Sequence, residues 1–200
     1  MAYHTEILDL ITSSLSVPIK SVIDIGCGDG SFSDGLYFDR EEVEVKKCDI
    51  NPQNDDVEKV DLSQPLNQEK RYDLCICTEV VEHIPETYSN AVIHNLTGLS
   101  DIILFSAAIP HQIAESHVNL KWPSFWQNLF EDKGYVCVDC IRPFIWEMQE
   151  IPFWYKQNLL LYIKEDKTEL LRYNHFNTRK NLNLVHPQML HNLLGGKYEP

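Results

Sequence analysis

The feature that most constrains the fold of this chain is a glycine-rich turn, Gly26-Cys-Gly-Asp-Gly30, directly after the apolar run Ser21–Ile25. Glycine permits the unusual backbone angles of a tight turn and lets a ligand approach the main chain closely. The apolar run predicts a buried strand, and we expect a helix from Ser31 to Phe38 whose first N–H groups are unpaired. A strand, a glycine turn and a helix in this order are typical of nucleotide-binding α/β folds.

Acidic residues stand beside this turn and at the end of the next predicted strand. Asp49 follows the strand expected from Glu41 to Cys48, about twenty residues after the turn, where a carboxylate can bind both ribose hydroxyls of an adenosine. Asp24 precedes the first glycine, and we expect it to order the loop rather than to bind a ligand strongly. The pattern predicts a cofactor that contains adenosine.

Apolar runs and helix-like patterns alternate through most of the chain. We expect five more strands, at 56–60, 72–77, 101–106, 135–141 and 158–164. Helices are predicted in the first twenty residues, at 85–96 and at 122–133, with Gly134 ending the last. This alternation predicts an α/β fold with a seven-stranded, mostly parallel sheet and helices on both faces. Ligands of such sheets bind beyond the carboxyl ends of the strands.

The length of 200 residues suits one domain. We expect a single domain, 1–200, made of an N-terminal helix (1–20), a cofactor-binding half (21–110), an acceptor-side half (111–164) and a C-terminal extension (165–200). Apolar residues at helical spacing in the tail, among them Leu190 and Leu194, predict a helix that covers the sheet or packs on another subunit. Monomer and dimer both stay open.

Composition argues against several classes of protein. The net charge of −13, with scattered basic residues, disfavours nucleic-acid substrates, whose phosphates require a basic surface. No apolar run is long enough to span a membrane, and the N-terminus lacks the pattern of a secretory signal. We interpret the six cysteines as buried thiols rather than as disulfides or a zinc site, which favours the reducing cytoplasm.

Four motifs in order resemble those of the class I S-adenosylmethionine-dependent methyltransferases. The first is Asp24-Ile-Gly-Cys-Gly-Asp-Gly30, and the second, Cys48-Asp-Ile-Asn51, resembles the family's ribose-binding motif. Val60-Asp-Leu62 is similar to the segment that contacts adenine, and Thr78-Glu-Val-Val-Glu-His-Ile-Pro85 is similar to the fourth motif of the ubiquinone-biosynthesis-like branch. The resemblance covers roughly residues 21 to 110 and implies the Rossmann-like class I methyltransferase fold.

The resemblance also implies roles toward S-adenosylmethionine, whose product is S-adenosylhomocysteine. Gly26, Gly28 and Gly30 would line its methionine part, Asp49 its ribose, and Glu79 its methionine end and sulfonium. Asp61 would bind the adenine amino group, with Leu62 against the ring, although a plain turn carboxylate is an open alternative. The candidate cofactor-binding set is completed by Asp24, Cys27 and Ile50. We interpret Glu82 as a charge at a helix N-terminus and His83 as a packed or capping residue.

The segment from His111 to Trp126 follows the fifth predicted strand, where an acceptor loop belongs. It resembles small methyltransferases found with polysaccharide-building enzymes, bacterial and viral, which carry a Gly-His-Val-Asn-like loop, then Trp-Pro and an aromatic helix. This chain has Ser116 where glycine is usual, which leaves the loop's backbone geometry open. The implied acceptor is a sugar hydroxyl. A glycosyltransferase is then an expected covalent or gene neighbour, and a viral member would act in the host cytoplasm.

Methyl transfer to a hydroxyl requires alignment of donor and acceptor and a base that removes the hydroxyl proton. Histidine can serve near neutral pH, so His117 is the first candidate base and His111 the second. The alternative is that one or both only hold the loop. Trp122, Arg142 and Trp146 are candidate acceptor contacts, because aromatic faces stack on sugars. We expect no metal, since the loop shows no clear carboxylate pair, but clustered carboxylates and a histidine that hold Mg²⁺ stay an open alternative.

Other functions stay open on the sequence alone. The acceptor could be a quinone, a phenol or a lipid, since aromatic residues suit a planar ring nearly as well as a sugar. A non-catalytic cofactor-binding module is a further alternative, against which the complete motif set argues. No Asn-Pro-Pro-Tyr-like site follows the fourth strand, which disfavours methylation of a planar nitrogen.

Overall fold

The computed structural model describes residues 2–34, 37–38, 41–67, 70–172 and 182–195. Within these ranges the central element is a seven-stranded sheet, ordered β3-β2-β1-β4-β5-β7-β6. Its strands are β1 (Ser21–Ile25), β2 (Glu44–Asp49), β3 (Val57–Lys59), β4 (Leu74–Thr78), β5 (Ile102–Ser106), β6 (Tyr135–Val138) and β7 (Leu160–Lys164). In this sheet only β7 runs antiparallel to its neighbours, β5 and β6. The predicted seven-stranded, mostly parallel sheet is confirmed.

Continuous apolar runs form the central strands. All five residues of β5 are buried, and β1 is buried from Val22 to Ile25. Parallel strands that are covered on both faces need apolar side chains on both, which explains runs without alternation. The edge strand β3 and its neighbour β2 are only partly buried, and their sequences are correspondingly polar.

Helices cover both faces of the sheet, as the sequence predicts. The described α-helices are α1 (Ala2–Ser14), α2 (Ser89–Leu99), α3 (Pro123–Glu131), α4 (Arg142–Ile145), α5 (Phe153–Asn158) and α6 (Pro187–Leu193). Ile7 of α1 and Ile145 of α4 join an apolar core on one face. Leu96 of α2 and Phe130 of α3 join a second core on the other face. The sheet therefore separates two cores, each of which fixes a different set of loops.

The C-terminal tail contains the expected helix, α6, but exposes most of its leucines. Met189 is buried, whereas Leu190, Leu193 and Leu194 are exposed. The helix packs against α5. Within α6, Met189 is therefore the buried contact with the rest of the protein, and the leucines whose spacing predicted the helix are not.

The helix predicted from Ser31 to Phe38 is wrong. Turns occupy 31–34, and Tyr37–Phe38 pairs with Glu41–Glu42 as a short antiparallel hairpin. The Asp29 carboxylate accepts a hydrogen bond from the Ser31 N–H (3.0 Å), and such local bonds compete with helical ones. The turn residues are also rich in serine and aspartate, which have low helix propensity. The glycine turn therefore leads into an irregular segment.

The strand order places the functional loops at one edge of the sheet. The chain leaves β1 toward β2 on one side and later returns to β4 on the other, so β1 and β4 flank a topological switch point. Ligands of open α/β sheets bind outside the carboxyl ends of the strands at such a point. The glycine turn, Asp49 and Glu79 follow or end β1, β2 and β4 at this edge.

Two expectations from composition can be compared with the structure. Among the described residues, no helix has both the length and the hydropathy needed to cross a bilayer. All six cysteines are buried and none forms a disulfide. The interpretation of the cysteines as buried thiols is confirmed.

Candidate active site

The glycine turn is held against β2 by its backbone and packs against Val80, which follows β4. Gly26, Gly28 and Gly30 have φ of 74°, 58° and 77°, in the left-handed region that favours glycine. The Gly26 N–H donates to the Cys48 carbonyl (2.7 Å). A β-carbon on Gly26 would lie 2.4 Å from Cγ2 of Val80, whereas one on Gly28 would meet no described atom within 4 Å. The turn is thus tightly packed below Gly26 and open above Gly28, where a ligand can reach the main chain.

Asp49 lies against the glycine turn. One carboxylate oxygen accepts from the Gly28 N–H (2.9 Å) and the other from the Asn51 N–H (2.8 Å). Each oxygen keeps a second lone pair, so the carboxylate is oriented and can still accept hydrogen bonds from a diol. Ile50 follows with 50% of its side chain exposed, and offers an apolar surface beside the carboxylate. This arrangement fits the ribose of an adenosine.

Asp24 lies beneath the turn. Its side chain is 2% exposed, and Oδ2 has no hydrogen-bond partner among the described residues. Burial raises the pKa of Asp24 to about 6. A carboxyl buried in this way does not line an open cleft, which agrees with a role other than strong ligand contact.

Asp61 takes part in a turn at the end of the segment after β3. Its Oδ1 accepts from both the N–H (2.9 Å) and the hydroxyl (2.7 Å) of Ser63. The turn role that the sequence left open is therefore present. No described residue donates to Oδ2, so binding of an adenine amino group stays a prediction. Leu62 is buried in the second core, and its carbonyl accepts from Asn95 (2.9 Å).

Glu79 stands directly after β4 in a strained conformation. Its φ is 55°, and its N–H donates to the Ser106 carbonyl at the end of β5 (3.1 Å). Its carboxylate accepts from Nε2 of Gln112 (3.1 Å) and from Nδ2 of Asn158 (3.2 Å). Burial raises the pKa of Glu79. Strain of this kind persists where surrounding contacts enforce it and is concentrated at functional sites.

The sequence predicts Glu82 as a charge at a helix N-terminus; it does lie in the first turn of a short helix, but its side chain is buried. It lies in a 3₁₀ turn, Val81–His83, and is fully buried. Its Oε1 accepts from the Ala108 N–H (3.2 Å), while Oε2 has no hydrogen-bond partner among the described residues. Burial, together with the charge of Glu79, raises the pKa of Glu82 to about 8. The hydrogen bond from the Ala108 N–H, after β5, holds the Glu82 side chain in the interior. No local sequence pattern encodes this contact.

His117 and His83 form a pair beside Glu82. Their ring centroids lie 4.9 Å apart in an edge-to-face arrangement. Nδ1 of His117 contacts the Gln112 carbonyl (2.6 Å), and Nδ1 of His83 contacts the Ser116 carbonyl (3.2 Å). One potential ligand atom from each of Glu82, His83 and His117 lies within 4.8 Å of the others. The structure thus joins the turn after β4 to the loop after β5.

The loop around His117 is hydrogen-bonded to the 3₁₀ turn. Its Ser116 has an ordinary backbone conformation. The N–H groups of Val118 and Asn119 donate to the Glu82 carbonyl (2.8 and 3.1 Å), and the Asn119 side chain donates to Ser89 (3.2 Å). Ser116 is not among the described non-glycine residues with positive φ, so the position does not require glycine. His111 does have positive φ (73°) and is exposed. His117 is therefore the better placed of the two predicted bases.

The three predicted acceptor contacts do not form one surface. Trp122, directly before α3, is 37% exposed, whereas the Trp146 ring packs 4.9 Å from that of His186. Arg142 is 1% exposed and forms an ion pair with Asp139. Its guanidinium also donates to two backbone carbonyls, each at 2.9 Å. The expectation that Arg142 binds the acceptor is wrong, because these contacts occupy the group and bury it.

Sequence reasoning missed the amide residues around Glu79. Gln112 and Asn158 both donate to its carboxylate, and Asn158 also donates to Oε1 of Gln112 (3.1 Å). Asn158 is 79 residues from Glu79 in the chain, so only the fold brings the two together. The signal available in the sequence was a pair of amides, Gln157-Asn158, directly before an apolar strand. The structure shows that both are buried.

Comparisons with known proteins agree with this architecture. Residues 4–101, just under half of the chain, match a family model described as a methyltransferase domain. No curated protein matches the chain.

Several solved structures share the fold at low sequence identity. Magnesium protoporphyrin IX methyltransferase from Synechocystis PCC 6803, with bound S-adenosylhomocysteine, has a TM-score of 0.58 and 17% identity, over 82% of each chain. The O-methyltransferase of a Brevibacillus brevis trans-AT PKS multienzyme, in complex with the same molecule, has a TM-score of 0.56 and 13% identity, over 82% of this chain and 72% of its own. The N-methyltransferase NodS from Bradyrhizobium japonicum WM9, also in complex with S-adenosylhomocysteine, has a TM-score of 0.52 and 18% identity, over 80% of this chain and 84% of its own. The Rossmann-like methyltransferase fold is thereby confirmed.

Proposed function

We propose that this S-adenosylmethionine-dependent methyltransferase transfers its methyl group to a hydroxyl of a sugar, in a glycan or a glycan precursor. The observation that carries the proposal is the polar cluster of Glu82, His83 and His117 beside Glu79, at the carboxyl ends of β4 and β5. The acceptors and acceptor atoms named for the three solved structures differ, so the fold does not select one. The acceptor is therefore argued from the loop after β5.

The cofactor site is formed by the switch-point edge of the sheet. S-adenosylmethionine supplies an electrophilic methyl group on a sulfonium. The open main chain at Gly28 and the oriented carboxylate of Asp49 would hold its methionine and ribose parts, respectively. Glu79 would lie at the methionine end, where its carboxylate would face the positive sulfonium. Its hydrogen bonds from Gln112 and Asn158 orient it for that contact.

Activation of the acceptor would fall to His117, in the loop after β5. A carbonyl only accepts hydrogen bonds, so the contact with the Gln112 carbonyl requires a proton on Nδ1 of His117. The neutral ring then carries its lone pair on Nε2, which can take the proton of an approaching hydroxyl. Trp122 offers an exposed indole on the same segment of chain, and aromatic faces stack on the C–H faces of sugars.

Transfer to defined acceptors tests the proposal. We would measure incorporation of label from methyl-labelled S-adenosylmethionine into hexose and deoxyhexose glycosides, with a catechol, a quinol and a fatty acid as comparison acceptors. The proposal predicts an O-methylated glycoside and little product from the others. Transfer to the catechol, the quinol or the fatty acid alone would contradict the sugar assignment.

Replacing the candidate base tests the mechanism. His117→Ala should leave cofactor affinity unchanged and lower turnover about a hundredfold or more, the usual contribution of a general base. His94→Ala, which removes an exposed histidine of α2, is the matched control and should keep full turnover. Near-normal turnover of the His117 variant would exclude a role for this residue in activating the acceptor.

A further inference from the structure

The cluster of Glu82, His83 and His117 has the composition of a metal site. One carboxylate oxygen and one nitrogen of each imidazole lie within 4.8 Å of one another, and no ion is present. We propose that these three side chains bind one divalent transition-metal ion, of the class of Mn²⁺, Fe²⁺, Co²⁺ and Zn²⁺. The acceptor loop alone has no clear carboxylate pair and so does not predict a metal, but two of the three ligands stand in the turn after β4.

Both histidines are oriented as metal ligands usually are. Each contacts a backbone carbonyl through Nδ1, His83 that of Ser116 (3.2 Å) and His117 that of Gln112 (2.6 Å). Because a carbonyl cannot donate, Nδ1 must carry the proton, and the neutral ring presents the Nε2 lone pair. A hydrogen bond from the second ring nitrogen is the typical partner of a metal-bound histidine, since it fixes the tautomer and the ring orientation.

Glu82 supplies an independent observation. It is fully buried, and its Oε2 has no hydrogen-bond partner among the described residues. A buried carboxylate oxygen without a donor is costly, and a bound cation would remove that cost. Glu79 adds a second carboxylate close enough to interact electrostatically with Glu82. Among the described residues neither Glu79 nor Glu82 forms an ion pair with a Lys or Arg, so a cation between the turn and the loop would be favoured.

The donor set selects the class of ion. Two imidazoles and a carboxylate suit first-row transition metals, whereas Mg²⁺ and Ca²⁺ prefer oxygen ligands alone. Three protein ligands leave coordination positions for an acceptor hydroxyl, as in catalytic metal sites. This inference rests on the proposed function for its role. A bound ion would take the Nε2 lone pair of His117, so the ion would lower the pKa of a bound acceptor hydroxyl and the proton would pass to water rather than to His117. Metal binding itself does not depend on which acceptor is methylated.

Direct binding of Mn²⁺ tests the site without any activity measurement. The full chain, treated with EDTA and dialysed, would be titrated with MnCl₂ while free Mn²⁺ is followed by electron paramagnetic resonance. We expect one ion per chain. His83→Ala should weaken binding at least tenfold, since loss of even a hydrogen-bond partner of a metal ligand costs about 10- to 100-fold in metal affinity. His83 is exposed, so its removal should not disturb folding.

Matched measurements separate the possible failures. His94→Ala removes an exposed histidine of α2 and should bind Mn²⁺ as the natural chain does. Calorimetry with S-adenosylhomocysteine, run on the same samples, checks the cofactor site independently. Absence of stoichiometric Mn²⁺ binding, or equal affinity in the His83 and His94 variants, would overturn the metal site. Loss of cofactor binding with metal binding intact would instead overturn the proposed function.

Discussion

At the scale of single residues, burial of Asp24 produces a pH-dependent stability. Its folded-state pKa of about 6 lies above the ordinary value for aspartate, because burial disfavours the charged form. Both states hold the proton well below pH 4. As the pH rises from about 4 through 6, the unfolded chain releases its proton first, so the contribution of Asp24 to stability is lost over this window.

Replacing Asp24 tests the direction of this change in stability with pH. Asp24→Asn should gain free energy of unfolding relative to the natural chain at pH 7, by about 2–3 kcal/mol at most, and gain little at pH 4. Urea unfolding at several pH values would measure the difference. Asp55→Asn, at an exposed aspartate, is the control and should show no such trend. A gain that is equal at both pH values would contradict the assignment.

The glycine turn makes a second prediction at this scale. Gly26→Ala places a β-carbon 2.4 Å from Val80 at a φ of 74°, so we expect a loss of stability of about 1–3 kcal/mol and weaker cofactor binding. Gly98→Ala, in α2 with no atom within 4 Å of the new carbon, should instead stabilise by about 0.5–1 kcal/mol. Thermal unfolding distinguishes the two, and equal effects would remove the packing argument at Gly26.

At the scale of elements, α4 is fixed through Arg142. Its guanidinium pairs with Asp139 and donates to the carbonyls of Gln157 and Leu182, which join α4 to α5 and to the segment before α6. Arg142→Ala leaves these acceptors unpaired, and we expect a loss of about 3–5 kcal/mol in the free energy of unfolding. The exposed ion pair of Lys70 with Glu44 provides the control, and Lys70→Ala should cost far less, because exposed ion pairs contribute little to stability. Comparable losses in urea unfolding would contradict a structural role.

Strands were predictable from the sequence because apolar runs encode them directly. The buried residues of β1 and β5 are continuous in the chain, and the expected positions agree with the observed strands. The predicted helix after the glycine turn failed because Asp29 and the following serines form local turns instead. Propensity and periodicity describe neighbours in sequence, so they detect the strands and miss this competition.

The sequence predicted only those parts of the candidate site that a local motif encodes. The glycine turn and Asp49 follow from motif spacing, and the structure joins them by the Gly28–Asp49 hydrogen bond. The burial of Glu82 depends on Ala108, and the orientation of Glu79 depends on Asn158. These partners lie 26 and 79 residues away, and the sheet order that unites them is not visible in either local sequence.

At the scale of the whole molecule, the sheet brings the candidate cofactor residues and the polar cluster to one edge. Loops after β1 and β2 carry the residues that fit the cofactor, and loops after β4 and β5 carry the polar cluster. Two separate apolar cores fix these loops from opposite faces of the sheet. Alignment of two reactants in this way supplies much of the rate enhancement in a group transfer.

Calorimetric titration of the purified chain with S-adenosylhomocysteine tests the central claim most directly. We predict binding of one molecule per chain. Asp49→Ala should weaken it by about 2–3 kcal/mol, the scale of a lost charge-assisted hydrogen-bond pair, while Asp55→Ala binds normally. Thermal unfolding would verify that both variants are folded. Absence of binding, or an unchanged affinity in the Asp49 variant, would contradict the account of the cofactor site.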